Sequence, residues 1–345
     1  MKSIYDLTKT DLEEYFLSIG SKKFHADQLF DWLYIKRIKS LDEVTNIKKE
    51  VLDEIKSNFK LNDLKIVNIE KDKDVNKYLF ELADKEHIEA VVMFHDYGTS
   101  LCISSQVGCN MGCKFCESGR RKKVRNLEVY EMVMQIMMIE EDLNKRISHV
   151  VVMGIGEPFD NYDNLVKFFR IINDPKGISI GSRHITVSTC GIIPKIEEFS
   201  NLDMQINLAI SLHAANDKLR NEIMPINKAY PLKDLMKSIK KYVEKTNRRI
   251  TFEYILLKDV NDSEECALEL VELVKGINCY INLIPYNETN NIDFKRTNTI
   301  QIMRFYDILK KSRINVTIRR EFGTNISAAC GQLRSKKEEL WDRFI

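Results

Sequence analysis

The apolar positions change period twice along the chain. Over residues 1–60 they recur at helical spacing. Phe24, Leu29, Phe30, Leu33 and Tyr34 form one stripe, and Val51, Leu52, Ile55 and Phe59 form another. Thr10-x-x-Glu13 and Ser40-x-x-Glu43 have the form of capping boxes, and Gly20 that of a helix stop. This predicts a small helical accessory domain over 1–60. From 61 to 95 the pattern is that of strands: segments 77–82 and 87–94, separated by Ala83-Asp-Lys-Glu86, predict a β-hairpin linker or extension. From residue 98 strand and helix alternate. Strands are predicted at 101–104, 147–153, 184–188, 205–211, 249–257 and 280–284, with helices at 129–143, 162–172, 232–245 and 264–275 between them. A last helix at 300–311 and a strand at 314–319 follow. Six β/α units predict an α/β core over 96–345, a partial (β/α)6 TIM-like barrel with two units fewer than a closed one. Reactive groups in such a fold gather on loops at the C-terminal ends of the strands.

Composition changes this picture little. The 345 residues are 44% hydrophobic and 30% charged, as in an ordinary globular protein. No apolar run approaches the roughly 20 residues of a membrane span, and Met1-Lys-Ser-Ile-Tyr-Asp-Leu-Thr carries no apolar signal region. A cytoplasmic protein away from membranes is expected. The net charge of +2 is too mild to argue for nucleic acid by itself. The basic run Arg120-Arg-Lys-Lys123 with Arg125 is a candidate phosphate contact, weighed against an ordinary solvated face.

The 8 cysteines are unevenly spaced, unlike a secreted disulfide framework. Three of them stand in Cys109-Asn-Met-Gly-Cys113-Lys-Phe-Cys116, after the first barrel strand. Thiolates bind soft metals and iron–sulfur clusters. A structural zinc site wants four ligands, and no fourth Cys or His follows closely. A cluster held by three cysteines keeps one iron free for a substrate; an electron-transfer cluster would normally want a fourth cysteine. Other polar groups fall at predicted strand ends: Gly154-Ile-Gly156-Glu157-Pro158, Ser188, Ser211-Leu212-His213 and Asn287. A glycine turn lets the backbone approach a ligand closely, and Glu157 could receive an amino group. Cys190, Cys266 and Cys279 sit in no motif and read as core.

The three-cysteine loop resembles that of radical S-adenosylmethionine (SAM) enzymes. The wider pattern is similar to the RlmN/Cfr family of RNA adenosine methyltransferases, and closest to its RlmN branch. The residues that carry the likeness run over nearly the whole chain. They are Gln28-Leu-Phe-Asp-Trp-Leu-Tyr34, Leu101 to Cys116, Arg125-Asn-Leu127, Met153 to Pro158, Ser211-Leu-His213, Met224-Pro-Ile-Asn227 and Ala328-Ala-Cys-Gly-Gln-Leu333. The resemblance implies a [4Fe–4S] cluster on Cys109, Cys113 and Cys116. It implies SAM, two molecules per turnover, at Gly156, Glu157, Ser188, Ser211, Leu212, His213 and Asn287. It also implies that Cys330 carries a methyl group, that Cys102 resolves the intermediate and that Glu89 accepts a proton. The chemistry has a reason: the amidine carbon of adenine is electron-poor, so a methylene radical formed on a methylated Cys330 adds where ordinary attack on SAM cannot. Cys102 then frees the product and leaves a disulfide that must be reduced.

The implied partners are 23S rRNA, tRNA and a flavodoxin-type electron donor, with the 1–60 domain binding RNA and the protein a monomer. Glu117-Ser118, Lys122-Lys123 and the segment from Phe322 to Ser327 depart from RlmN. Phe322-Gly323 and Ile103 lean toward Cfr, whereas Val107, Pro158, Pro285 and Ser211-Leu-His-Ala-Ala215 lean toward RlmN. The family pattern therefore implies methylation at adenine carbon 2, with the Cfr-type carbon 8, which would confer antibiotic resistance, as the alternative.

Overall fold

The computed structural model describes residues 1–289, 292–319 and 332–333. Three helices come first: α1 (Lys9–Ser18), α2 (Phe24–Tyr34) and α3 (Lys49–Asn58). The capping box of α1 is Thr8 with Asp11, two residues before the expected Thr10-x-x-Glu13 pair. Thr8 can take the extended backbone an N-cap needs, whereas Thr10 is already helical. The second expected box, Ser40 with Glu43, is present, but it caps a short 3-10 turn (Leu41–Glu43) rather than α3. Gly20 ends the first helix region at a positive φ of 72°.

Ten strands form one sheet in strict chain order. The first four are β1 (Lys65–Asp72), β2 (Val75–Glu81), β3 (His87–His95) and β4 (Gly98–Ile103), all antiparallel neighbours. The predicted hairpin is β2–β3, and β1 adds a third strand beside it. From β4 onward the neighbours are parallel: β5 (His149–Val152), β6 (Ile185–Thr189), β7 (Asn207–Ser211), β8 (Ile250–Leu256), β9 (Cys279–Pro285) and β10 (Asn315–Ile318). The antiparallel strands are thus one edge of the barrel sheet itself. Helices α4 (Val129–Leu143), α5 (Tyr162–Asn173), α6 (Ile193–Phe199), α7 (Asp217–Ile223), α8 (Leu232–Thr246), α9 (Glu264–Val274) and α10 (Thr299–Lys311) connect the parallel strands. The pattern of apolar positions gave no sign of α6 and α7, because two turns each are too short to show a helical period.

One face of the sheet packs against the helices. Leu101 and Ile103 of β4 and Ile88, Ala90 and Val92 of β3 join Met132, Val133 and Ile136 of α4 in a continuous core. The alternate residues face the other way, as period two requires. The N-terminal helices close the same core from outside. Phe30 is fully buried, and a Cβ on Gly177 would lie 3.0 Å from its ring. Tyr130 of α4 donates its backbone N–H to Asp6 (2.9 Å) and its hydroxyl to Asp63 (2.9 Å). Arg37 pairs with buried Glu140. Among the described residues no helix is long and apolar enough to cross a membrane.

Phe30→Ala should leave a cavity at this junction and destabilise the protein by about 3–5 kcal/mol. Urea unfolding followed by circular dichroism would measure it; a loss under 1 kcal/mol would mean that the junction collapses freely around the gap.

Candidate active site

The strand ends surround one cavity at the C-terminal side of the sheet. Cys109, Cys113 and Cys116 line it with Gly156, Glu157, Ser188, Ser211 and His213. Leu212 does not: its side chain lies in the main core, and its carbonyl accepts from Arg220. Asn287 follows β9 and is half-buried, outside this cavity's lining. Cys330 lies outside the described residues.

Among the described residues no three Cys, His, Asp or Glu side chains converge as they would on a single metal ion. The three thiols instead border a cavity, and none is in a disulfide. That spread and the all-sulfur donor set fit a multi-iron cluster rather than zinc. Burial pushes the Cys109 thiol up to about 12 and raises Cys113 further in the same direction. Burial favours the protonated thiols, and binding a cation there releases those protons. Phe115, between the last two cysteines, meets the His213 ring edge-on at 4.8 Å between centroids.

Glu157 is buried, and burial raises its carboxyl pKa, with backbone donors acting against that. Its two oxygens accept from Cys190 N (2.8 Å) and Phe159 N (3.0 Å), so the carboxylate joins the ends of β5 and β6. The Cys190 thiol and the Thr189 hydroxyl donate to the same carboxylate. Gly154 and Gly156 permit the close packing of this turn. A Cβ on Gly154 would lie 2.6 Å from the Ile103 carbonyl, and Gly156, at φ 116°, would clash with Gln106 at 2.7 Å. His213 has a left-handed backbone (φ 58°). Its Nδ1 accepts from Ile255 N at 3.0 Å, which puts the ring proton on Nε2. Burial pushes its pKa down to about 3, so it is a neutral donor rather than a base.

Several functional positions had no legible signal in the sequence. Gln106, fully buried, accepts from Glu157 N (2.9 Å) and donates to Asn126 and Asp160. Cys190, expected in the core, is buried but lines the cavity. Arg220 is 1% exposed and donates to the carbonyls of Leu212 (3.0 Å), Cys190 (2.7 Å) and Ser211 (3.1 Å) and to Asn227 Oδ1 (2.8 Å). Asn227 in turn donates to Asp217. One guanidinium therefore fastens the ends of β6 and β7 to the Met224-Pro-Ile-Asn227 turn. Lys114 N, inside the cysteine loop, bonds Ile223 O at 3.0 Å and ties that loop to the same unit.

The basic run is largely occupied internally. Arg121 pairs with Glu86 (2.6 Å), Lys123 with Asp160 (2.6 Å), and Arg125 with Asp84 (2.6 Å) and Glu131 (2.7 Å). Arg120 stands 4.0 Å from buried Glu117. Among the described residues only Lys122 of this run has no acidic partner, so four of these five cations stand beside carboxylates.

On the inner face, Cys102 of β4 packs with Val75, Val91, Ile155 and Leu333. Val91 and Cys102 are register partners, so Glu89, two residues from Val91, shares that face. Leu333 also accepts from Ser118 Oγ at 2.9 Å through its carbonyl, and Gln332 donates to the Glu288 carbonyl at 3.1 Å. The altered Glu117-Ser118 pair thus contacts the returning C-terminal segment.

Two family models match. The radical SAM superfamily covers residues 103–271, and the ribosomal RNA large subunit methyltransferase N-terminal domain covers 2–61. A probable dual-specificity RNA methyltransferase RlmN of Spiroplasma citri is 53% identical, over 98% of this chain and 99% of its own. One from Enterococcus faecalis is 52% identical over 97% of each. The crystal structure of a radical SAM methyltransferase from Sphaerobacter thermophilus superposes with a TM-score of 0.91 at 39% identity, over 97% of this chain and all of that one.

Arg220→Met would remove one donor set from three carbonyls and an amide. Each buried acceptor left without a donor costs about 1–3 kcal/mol, so a loss of roughly 3 kcal/mol or more is expected. Arg220→Lys should recover only part of it, because an ammonium cannot reproduce the planar fork. Thermal unfolding of the three proteins compares them; equal stability of the Lys variant and the parent would show that the fork is dispensable.

Proposed function

The chain belongs to the RlmN family of radical SAM RNA methyltransferases, and from that premise we propose that it methylates carbon 2 of an adenosine in 23S rRNA and tRNA through a methylated Cys330. A [4Fe–4S] cluster and SAM go with the family, and we assign the cluster to Cys109, Cys113 and Cys116. SAM falls to Gly156, Glu157, Ser188, Ser211, the Leu212 backbone, His213 and Asn287. When bound, SAM would supply the methyl group and, with an electron from the cluster, a carbon-centred radical, and the same cluster would be an acceptor for the one electron that the RNA adduct must lose.

The chain's own residues do the rest. Cys330, as thiolate, receives the methyl group of a first SAM; a second SAM is consumed to activate that methyl. Once the sulfur-bound methylene has joined the ring carbon, Glu89 takes the proton from that carbon. Of the three electrons then available, two re-form the ring double bond and one leaves. Cys102 attacks the Cys330 sulfur: an S–S bond forms, the S–CH2 bond breaks with its pair on carbon, and that carbon takes a proton to become the methyl group. A dithiol reductant then reopens the disulfide. The observation that carries this reading is the packing of Leu333, three residues after Cys330, against Cys102, on the face that holds Glu89. His213, neutral and acceptor-bonded at Nδ1, is left to orient SAM.

The RNA would enter over the cysteine loop, with the 1–60 helices as an accessory binding domain and 61–95 as part of the barrel edge. A flavodoxin-type protein would supply electrons to a cytoplasmic monomer.

Nucleoside mass spectrometry of large-subunit RNA and tRNA incubated with anaerobically reconstituted protein, SAM and reductant tests the substrate. 2-Methyladenosine is expected in both; 8-methyladenosine would overturn the carbon-2 assignment, and unmodified tRNA the dual one. Cys330→Ala should abolish methylation with the cluster absorbance intact. Cys102→Ala should accumulate a covalent protein–RNA adduct on denaturing gels. Normal product without adduct would reduce Cys102 to a packing residue.

A further inference from the structure

Lysine is among the residues least often buried, yet Lys77 of β2 is 3% exposed. Its neighbours explain its direction. Tyr78 and Phe80 point to the main core, so Lys77 points to the inner face with Val75, Val91 and Cys102. Its Nζ lies 3.6 Å from Glu89 Oε1 and 3.0 Å from Glu70 Oε1. Glu89 is 2% exposed, whereas Glu70, the register partner of Lys77 on β1, is one-third exposed. Also near Glu89 among the described residues are Cys102, diagonally across on β4, and the Ser104 hydroxyl, which donates to the Glu89 carbonyl at 2.6 Å. A charge stripe therefore runs across three strands, from a buried carboxylate beside Cys102, through a buried ammonium, to a carboxylate at the rim.

A carboxylate taken from water on its own is driven toward its protonated form, and a neighbouring ammonium reverses that preference. We propose that Lys77 is a positioning residue that holds Glu89 ionised on the Cys102 face, and that Glu70, 3.0 Å from the same ammonium, fixes it there. This rests on the proton-acceptor role proposed for Glu89. The proton balance closes. Glu89 receives the proton from the ring carbon and returns to carboxylate by losing it to solvent once the product has left, while Lys77 stays an ammonium throughout. The lysine ends as it began, and no electron moves along the stripe.

The test uses reconstituted holoenzyme with transcribed large-subunit RNA and compares Lys77→Met, Lys77→Arg and Glu89→Gln. Two quantities are read together: 5′-deoxyadenosine released, and covalent protein–RNA adduct on denaturing gels. Lys77→Met and Glu89→Gln should both lower product at least tenfold and accumulate adduct, with 5′-deoxyadenosine near the parent level. Lys77→Arg should restore most of the product. Adduct in Glu89→Gln but parent-like turnover in Lys77→Met would overturn the lysine's role and leave that of Glu89 standing. No effect in Glu89→Gln would instead remove the premise. Should Lys77→Met fail to take up the cluster, Glu70→Gln carries the test: slowed release of the adduct supports the positioning role, and a parent rate overturns it.

Discussion

A β-strand shows alternate residues to opposite sides, and that constraint organises this molecule. On the outer side of the sheet the alternate residues are apolar and merge with the helices in one core. On the inner side the same strands are free to carry charge and sulfur: Lys77, Glu89, Cys102 and Glu253. A one-residue slip of register would exchange the two sets. The strict chain order of the ten strands makes each register a local matter between consecutive segments.

Polar groups buried at the strand ends do the remaining positioning. Glu157 joins the ends of β5 and β6 through two backbone N–H groups, and Arg220 joins the ends of β6 and β7 to the turn behind them. These contacts use backbone carbonyls and amides, which every strand end leaves unpaired. They fix the mouth of the cavity without occupying its side-chain surface. The cysteine loop is held to the same frame by Lys114, and to the β2–β3 turn by Arg121 and Glu86. In such a frame a SAM-sized ligand meets donors and acceptors already in place, which lowers the ordering cost of binding.

The element pattern was legible in the sequence for physical reasons. Buried parallel strands are continuous apolar runs, and the longer helices carry several turns of amphipathic spacing; 129–143 and 162–172 were readable because they are long. The seven-residue helices α6 and α7 were not, nor was β1, whose exposed edge position leaves it rich in Lys and Glu. The basic run after the cysteine loop shows what a local charge signal leaves out. Its acidic partners Asp84, Glu86, Glu131 and Asp160 are scattered through the chain, so charge counting along the sequence could not see the neutralisation.

By itself the sequence determined the three-cysteine loop, the glycine turn beside it and the order of strands and helices, since each depends on spacing within a few residues. Only the tertiary structure decided that Cys190 borders the cavity, that the Leu212 side chain lies in the main core, that Arg220 braces the strand ends, and that Lys77 lies buried against Glu89. Each of these depends on residues distant in sequence being brought to a few ångströms by strand register. Register follows from which face of every strand must be kept from water, a property of the folded sheet rather than of any one segment.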